Sequence, residues 1–143
     1  MGLVIRLRAA DYEAMLAHVR RAAPLEACGL VAGQGVQSTA VFPVPNAAAS
    51  PWRFRLEPSG HLRALQAMER AGWALLAVYH SHPQGGGVLS AADLAGAREP
   101  VFYLLWWKTA ARWQLRAFRI HNGRAYPVAW AVQPAAEAGA RQR

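Results

Sequence analysis

The sequence predicts an α+β (α/β-like) domain in which a mixed, mainly antiparallel sheet is flanked by helices. Three observations predict this class. The chain has 143 residues, of which 54% are hydrophobic, so it is long enough for one buried core and too short for two domains. Apolar residues switch between the two-residue period of strands and the 3.6-residue period of helices. The resulting order is β-α-β-β-β-α-β-α-β-β-β, which is typical of one sheet with helices beside it.

The first two elements are a strand and a helix. Every second residue is apolar at positions 3, 5 and 7, which predicts a strand over residues 3–8. From Asp11 onwards, apolar side chains recur at spacings of three and four. This spacing predicts a helix that ends before Pro24.

A hairpin, a loop and a short strand come next. Two apolar runs cover residues 27–32 and 38–44, and the residues Gly33-Gln34-Gly35 between them predict a tight turn. The following PVPNAAASP segment is typical of a loop. Alternation over residues 52–56 predicts one more strand.

The middle of the chain contains the second helix and the central strand. Pro58 suits a first helical turn, and an apolar face continues from there to Gly72. Residues 73–79 form a nearly continuous apolar run that ends directly on His80-Ser81-His82-Pro83, which favours a buried strand. A triple-glycine loop follows, which we expect to be mobile, and then Ser90 begins a short helix.

The last part of the chain predicts three strands and a tail. The strands cover residues 101–107, 113–120 and 126–132, and Asn122-Gly123 joins the last two as a hairpin turn. The end of the chain is rich in Ala, Gly and Arg and has no large apolar residue. We therefore expect one domain over residues 1–133 and a flexible tail over residues 134–143.

Charge and cysteine content narrow the class of protein. The chain has 16 basic and 8 acidic residues, a net charge of +8, which admits a nucleic acid or an acidic protein as partner. Lys108 is the only lysine and Cys28 the only cysteine, so an internal disulfide and a cysteine-based zinc finger are excluded. We expect a cytoplasmic protein, because no apolar run approaches the roughly 18 residues that span a bilayer and the start lacks a signal peptide.

Two histidines and two acids predict a metal site. His80 and His82 lie two residues apart on a strand end, so their side chains share one face. Ser90 and Asp93 share a face of a first helical turn. Two imidazoles and a carboxylate leave the fourth tetrahedral position of a zinc ion to water. Glu26 is a carboxylate in an otherwise apolar strand start, where a charge needs a reason.

Each of these pieces taken alone has a structural explanation. A histidine pair can simply be hydrogen-bonded, and Ser90 with Asp93 also fits a helix cap. Glu26 can be an ordinary residue at the start of a strand. Only the joint spacing, His-x-His-x7-Ser-x2-Asp with an acid upstream, favours an enzyme.

This joint spacing, with Glu26 in PLEACGL, resembles the signature of the JAMM (MPN-plus) zinc metalloprotease family. The segment NAAASPWRFRLEP is similar, at Asn46, Pro51, Phe54 and Pro58, to the segment that compact prokaryotic members carry before their second helix. The resemblance covers residues 3 to about 132 and implies the cytidine-deaminase-like fold of that family. It also implies that His80, His82 and Asp93 bind one zinc ion, that Glu26 is the general base and later acid, and that Ser90 donates to the oxyanion.

The resemblance further implies a substrate class. Members cleave amide or isopeptide bonds after the C-terminal Gly-Gly of ubiquitin-like proteins, and small bacterial members process sulfur-carrier proteins. We expect such a tail to add as a strand along residues 52–56, with Arg53 and Arg55 steering an acidic partner. Trp106 and Trp107 must point to opposite faces of their strand, so one exposed ring suggests a homodimer surface.

Three other functions stay open at this point. Cys28 with His80 as base would make a thiol peptidase. A basic module would bind nucleic acid through its arginines without catalysis. A scaffold with the same fold would have no chemistry, although it would be expected to lack the ligands that this chain keeps.

Overall fold

A computed structural model describes residues 3–135 of the chain. This part contains seven strands and three helices. In chain order they are β1 Val4–Arg8, α1 Ala9–Ala22, β2 Cys28–Gln34, β3 Gln37–Val44, α2 Pro58–Ala71, β4 Ala74–His82, α3 Ala91–Gly96, β5 Phe102–Thr109, β6 Arg112–His121 and β7 Arg124–Gln133. All three predicted helices are confirmed, and the central strand continues through both histidines.

The strands form one closed ring in the order β1-β3-β2-β4-β5-β6-β7, and β7 returns to pair with β1. β1 runs parallel to β3 and β7, and β4 runs parallel to β5, whereas the remaining four pairings are antiparallel. The mixed, mainly antiparallel sheet is therefore confirmed. Closure of the ring was not predicted, because alternation shows which side chains face a core and not which strands pair.

A buried carboxylate joins three elements near the start of the chain. Asp11 accepts two hydrogen bonds from the Arg8 side chain, at 2.7 and 2.9 Å, and one from Ser38 on β3 at 2.6 Å. The helix α1 begins at Ala9 and not at Asp11 as predicted, so Asp11 lies inside its first turn. The Asp11 side chain ties α1 to β1 and β3.

The predicted strand over residues 52–56 is wrong. Only an isolated bridge between Asn46 and Leu56 forms there. The side chain of Asn46 accepts from the Arg55 N–H and donates to the Arg53 carbonyl, both at 3.0 Å. These backbone groups are therefore satisfied by a side chain and not by a neighbouring strand. The β2–β3 turn is also displaced, from the predicted residues 33–35 to Gly35 and Val36.

Two apolar clusters cover the two faces of the sheet. One contains Met15 and Val19 of α1 with Ile5, Leu7 and Trp106 from the ring. The other contains α2 residues with the opposite face of β2, β4 and β5; its members are Leu30, Ala32, Val44, Ala64, Met68, Val78 and Tyr103. Burial on both faces explains why β2 and β4 are nearly continuous apolar runs.

The adjacent tryptophans of β5 point to opposite faces as predicted, but neither ring is exposed. Trp106 is fully buried against Tyr12 of α1, whereas Trp107 is half-buried. A homodimer surface stays a prediction. The predicted tail begins directly after β7, and residues 136–143 lie outside the described residues. Within residues 3–135, no helix is long and apolar enough to cross a membrane.

A half-buried histidine on α1 makes the stability of the fold depend on pH. The His18 Nδ1 atom lies 2.7 Å from the Tyr79 hydroxyl. Burial, together with the charge of Arg21, lowers the pKa of His18 to about 4. An unfolded chain with a histidine pKa of about 6.5 binds more protons than the native protein between pH 7 and 4, so the native state loses stability as the pH falls through this range.

We expect His18→Gln to remove this loss. Between pH 7.5 and 5 the wild-type protein should lose about 1–2 kcal/mol more free energy of unfolding than the variant, after allowance for solvent screening of a partly exposed ring. Urea unfolding at the two pH values measures the difference, and all other titrating groups cancel between the two proteins. Equal losses in both proteins would contradict this explanation.

Candidate active site

The C-terminal end of β4 carries the two histidines on one face and a serine on the other. Ser81 is fully buried, and its hydroxyl accepts from the Ala27 N–H at 2.8 Å. The Ser81 N–H donates to the Ala27 carbonyl at 3.1 Å. These bonds fix the segment before β2 beside the end of β4. Glu26, the neighbour of Ala27, is thereby brought to His80 and His82.

Glu26 is a buried acid without a satisfied side chain. It is 3% exposed, and its Oε1 atom has no hydrogen-bond partner among the described residues. One carboxylate oxygen and one nitrogen from each of His80 and His82 lie within 4.8 Å of one another. Burial raises the pKa of Glu26 to about 7, although the charge of His82 opposes this rise. A carboxyl group that ionises near neutral pH is suited to proton transfer.

Asp93 is aimed at the histidines by the cap of α3. The Ser90 hydroxyl accepts from the Asp93 N–H at 3.0 Å, and the Asp93 Oδ2 atom accepts from the Ser90 N–H at 2.9 Å. The same Oδ2 atom lies 3.1 Å from Nε2 of both His80 and His82. Burial raises the pKa of Asp93, but hydrogen bonds from the two histidines outweigh it, so the pKa lies well below its ordinary value. Asp93 is therefore an anion.

Three donor atoms thus converge on one point. The two Nε2 atoms of His80 and His82 are 3.2 Å apart, and each is 3.1 Å from Oδ2 of Asp93. Two imidazoles and an ionised carboxylate are the donor set that divalent transition metals prefer. The side chains are 2%, 9% and 7% exposed, so a bound cation would be shielded from bulk water on this side. These residues can hold a metal ion, with the Glu26 carboxylate beside it.

Each imidazole is held by a different contact. The Gly86 carbonyl accepts a hydrogen bond from the His82 Nδ1 atom at 2.9 Å, which points Nε2 at Asp93 and towards the position of a metal ion. The Phe54 ring stacks on His80, with centroids 4.4 Å apart and planes at 23°. Burial lowers the pKa of His80. His80 is therefore neutral, as a metal ligand must be.

Asn46 organises the loop that covers this side of the site. Its amide donates to the carbonyls of Glu26 and Arg53, each at 3.0 Å, and its side-chain oxygen accepts from Ala48 and Arg55. These four bonds use the whole capacity of an asparagine amide. The loop places Phe54 against His80. From the sequence, Asn46 was named only in the family resemblance, and its role in the loop was not predicted. The available signal was an asparagine at the start of the predicted loop.

A cleft of about 430 Å³ opens beside Asp93. Its walls come from the Asn46 loop, α2, α3 and β5, and they include Arg53, Phe54, His61, Arg98 and Tyr103. A second cleft, of about 540 Å³, is lined by residues such as Phe102 and Tyr126 and by none of the residues of the candidate site. We assign function to the smaller of these two clefts, because Asp93, one of the convergent ligands, lines it.

The structure brings together all five residues singled out in the sequence, namely Glu26, His80, His82, Ser90 and Asp93. Ser90 is fully explained as a helix cap, yet its hydroxyl hydrogen remains available for donation because the oxygen acts there only as an acceptor. The predicted mobility of the triple-glycine loop stays a prediction, although this loop does have specific contacts with His82 and with β6.

Comparison with known families decides the affiliation of this site. Residues 8–121 match the family described as prokaryotic homologues of the JAB domain. The chain belongs to this JAB family. The matched range begins at the end of β1, ends with β6 and includes every residue of the candidate site.

Curated relatives of this JAB domain are peptidases by name. The chain is 39% identical over 123 residues to a probable TtuB-protein conjugate cleaving protease of Thermus thermophilus, covering 85% of this chain and 80% of the relative. It is 36% identical over 124 residues to the CysO-cysteine peptidase of Mycobacterium tuberculosis, covering 84% and 85%. The prediction of a peptidase from the JAMM group is confirmed.

Solved structures confirm the fold of the JAB domain. A protein of Desulfitobacterium hafniense superposes with a TM-score of 0.83 at 31% identity and covers 94% of this chain and 96% of its own. A JAB1/MPN domain protein of Archaeoglobus fulgidus superposes with a TM-score of 0.62 at 14% identity, covering 91% and 100%. The second likeness concerns the fold alone.

Cys28 is unsuited to be the nucleophile of a thiol peptidase. It is fully buried, its thiol donates to the Val44 carbonyl at 3.4 Å, and burial together with the charge of Glu26 raises its pKa to about 12. We expect native protein at pH 8 to resist iodoacetamide and to keep its activity, whereas the urea-unfolded chain reacts at the rate of a free thiol. Mass spectrometry of the intact protein measures the labelling, and fast modification of the native JAB domain would revive the thiol mechanism.

Proposed function

We propose that this chain, with residues 1–133 as its catalytic domain, is a zinc-dependent peptidase. Its reaction is hydrolysis of the amide or isopeptide bond after the C-terminal Gly-Gly of a ubiquitin-like sulfur-carrier protein. The observation that carries the proposal is the convergence of His80, His82 and Asp93 beside a buried carboxylate, Glu26, whose Oε1 atom has no partner among the described residues.

The spacing of the three donors fits zinc. A tetrahedral site with ligand bonds of 2.0–2.1 Å has edges of about 3.3–3.4 Å between ligand atoms. The three separations here, 3.1 to 3.2 Å, are close to that edge. Three protein ligands leave one position open, as in catalytic and not structural zinc sites. Zinc would be held by His80, His82 and Asp93, and Glu26 remains for proton transfer.

The chemistry then divides between the ion and the side chains. When bound, zinc supplies a Lewis acid that polarises a carbonyl and lowers the pKa of water to about 7. Glu26 takes a proton from the attacking water and passes it to the leaving amine. Burial supports this role, because it keeps the carboxylate poorly solvated and holds its pKa near 7. The Ser90 hydroxyl donates a hydrogen bond to the oxygen of the scissile carbonyl as charge develops there.

The cleft beside Asp93 suits an extended chain end. Phe54, Tyr103 and the candidate ligand Asp93 line it, and a glycine pair has no side chains to obstruct an approach along it. Two relatives are named for cleaving TtuB conjugates and CysO-cysteine, which supports a carrier-type substrate. Because residues 52–56 form no strand, we propose that the tail lies in this cleft between the Asn46 loop and α3.

The excess of basic residues would attract an acidic carrier protein to the cleft. Arg53, Arg55 and Arg98 line the cleft, opposed there by Glu99 and Asp93. A positive rim accelerates the encounter with an acidic carrier without adding much to the affinity of the final complex. This makes an acidic protein, and not a nucleic acid, the expected partner.

Glu26→Gln tests the mechanism. The variant should still bind one zinc ion per chain but lose about 10²–10⁴-fold in kcat, because the amide cannot accept a proton. Asp93→Ala should lose zinc as well as activity. Purified protein is incubated with small Gly-Gly-ending proteins of the host, extended at their C-termini, while product masses and metal content are followed. The control is Glu13→Gln, which removes an exposed acid from α1 and should leave activity unchanged. Full activity of the Glu26→Gln variant would contradict the mechanism.

Ionic strength tests the steering. Raising salt from about 0.05 to 0.5 M should lower kcat/KM on an acidic carrier several-fold, because screening shortens the reach of the arginines. The double variant Arg53→Gln/Arg55→Gln should have lower kcat/KM at low salt and a flatter salt response. Arg112→Gln, at an exposed position of β6, should behave as the wild type. A salt-independent kcat/KM in all three proteins would contradict the role assigned to these arginines.

A further inference from the structure

The triple-glycine loop between β4 and α3 is held by specific contacts with β4, β5 and β6. A Cβ atom placed on Gly87 would meet the ring of Trp107 at 2.7 Å, so only glycine fits there. The Gly87 carbonyl accepts a hydrogen bond from the Arg116 Nη1 atom at 2.9 Å. The adjacent Gly86 carbonyl accepts from the His82 Nδ1 atom at 2.9 Å. Two consecutive carbonyls of the loop thus connect β6 to a candidate metal ligand.

The register of the sheet places all of these groups on one face. His82 is paired with Trp107 across the β4–β5 ladder, and His80 is paired with Leu105. Leu105 is in turn paired with Arg116 across the β5–β6 ladder. Side chains that are paired in register lie on the same face of a sheet. The loop therefore folds back over the face that carries both histidines.

Arg116 is itself held in place. Its guanidinium lies over the Phe118 ring, 5.1 Å from the centroid, and Phe118 is the next residue on the same face of β6. Arg116 is half-buried, in contrast to the exposed Arg119 further along the strand. A stacked guanidinium is a better fixed donor than a free one. The contact with Gly87 is therefore directional and not a general attraction between charge and loop.

We infer that Arg116 is a positioning residue that fixes the orientation of the His82 ring through the loop. By anchoring Gly87 on Trp107 it holds the Gly86 carbonyl where it accepts the hydrogen bond from Nδ1, which directs Nε2 towards His80 and Asp93. Partners that hydrogen-bond a ligand directly, as the Gly86 carbonyl does, typically contribute 10–100-fold to metal affinity, and Arg116 acts one step further out. The inference rests on the zinc site of the proposed function.

The experiment compares three substitutions on β6. Arg116→Gln should weaken zinc binding up to about 10-fold, the lower end of the effect of a direct ligand partner, in competition with a chromophoric chelator, and Arg116→Lys should keep part of the affinity. Arg119→Gln removes a guanidinium from the same strand and should bind zinc as the wild type does. Gly87→Ala should act in the same direction as Arg116→Gln, because its Cβ must displace the loop from Trp107.

A second readout separates positioning from general stability. In zinc-loaded protein labelled with ¹⁵N-histidine, the wild-type His82 Nδ1 proton should exchange slowly with solvent because the Gly86 carbonyl accepts its hydrogen bond, and Arg116→Gln should exchange it faster. Unchanged proton exchange and zinc affinity in Arg116→Gln, or a lowered Tm alone, would overturn the inference. If the wild-type protein binds no zinc, the proposed function fails and the inference fails with it; if the wild type binds zinc and Arg116→Gln binds it equally well, only the inference fails.

Discussion

The parallel pairing of β4 with β5 is the constraint on which the site depends. Parallel neighbours cannot be joined by a tight turn, because the chain must cross back to the other end of the sheet. The crossing chain starts at Pro83, immediately after His82, and passes through α3 before β5 begins. A segment forced over the end of β4 brings Asp93 to the histidines. Ligands that are distant in sequence therefore meet because of strand direction.

The candidate site lowers the stability of the fold through buried polar atoms that have no partner. Glu26 is buried with a carboxylate oxygen that has no partner among residues 3–135, and His80 has an equally unpartnered Nδ1 atom. Each such atom costs about 1–3 kcal/mol relative to a satisfied one. The two clusters packed on α1 and α2 and the Asp11 hydrogen bonds compensate elsewhere. Two of the four buried unsatisfied side-chain atoms among residues 3–135 thus lie at this one site, as expected of a site adapted to a ligand.

Much of the site was predictable because its chemistry requires residue types at fixed spacing. His80 and His82 at a strand end, followed by Ser90 and Asp93 at a helix start, need no knowledge of partners across the sheet. Glu26 was found because a charge in an apolar segment has few explanations. The physical contacts that hold these residues, such as Phe54 against His80 and Arg116 on Gly87, come from the tertiary fold and leave no local pattern.

The failures were also physical. Alternation over residues 52–56 is identical in a strand and in this loop, and the difference lies in one side chain, Asn46, which takes the backbone groups. The mobility expected of the glycine loop stays a prediction, but the sequence did not show that Gly87 also has a packing reason, a ring 2.7 Å from where its Cβ would be. Closure of the ring was not predicted, because the pairing of β1 with β7 joins the two ends of the domain and local periodicity carries no information about such distant pairs.

That closure has a consequence for how the chain folds. β1 forms its ladder with β7, the last strand of the ring. During synthesis the first strand has one edge without its final partner until nearly the whole domain has left the ribosome. Contacts between residues so far apart in sequence are slow to form, and an unpaired apolar strand is a site for association with other chains. A chain truncated within β7 would leave the edge of β1 permanently unpaired. The last strand therefore protects the first from association with other chains.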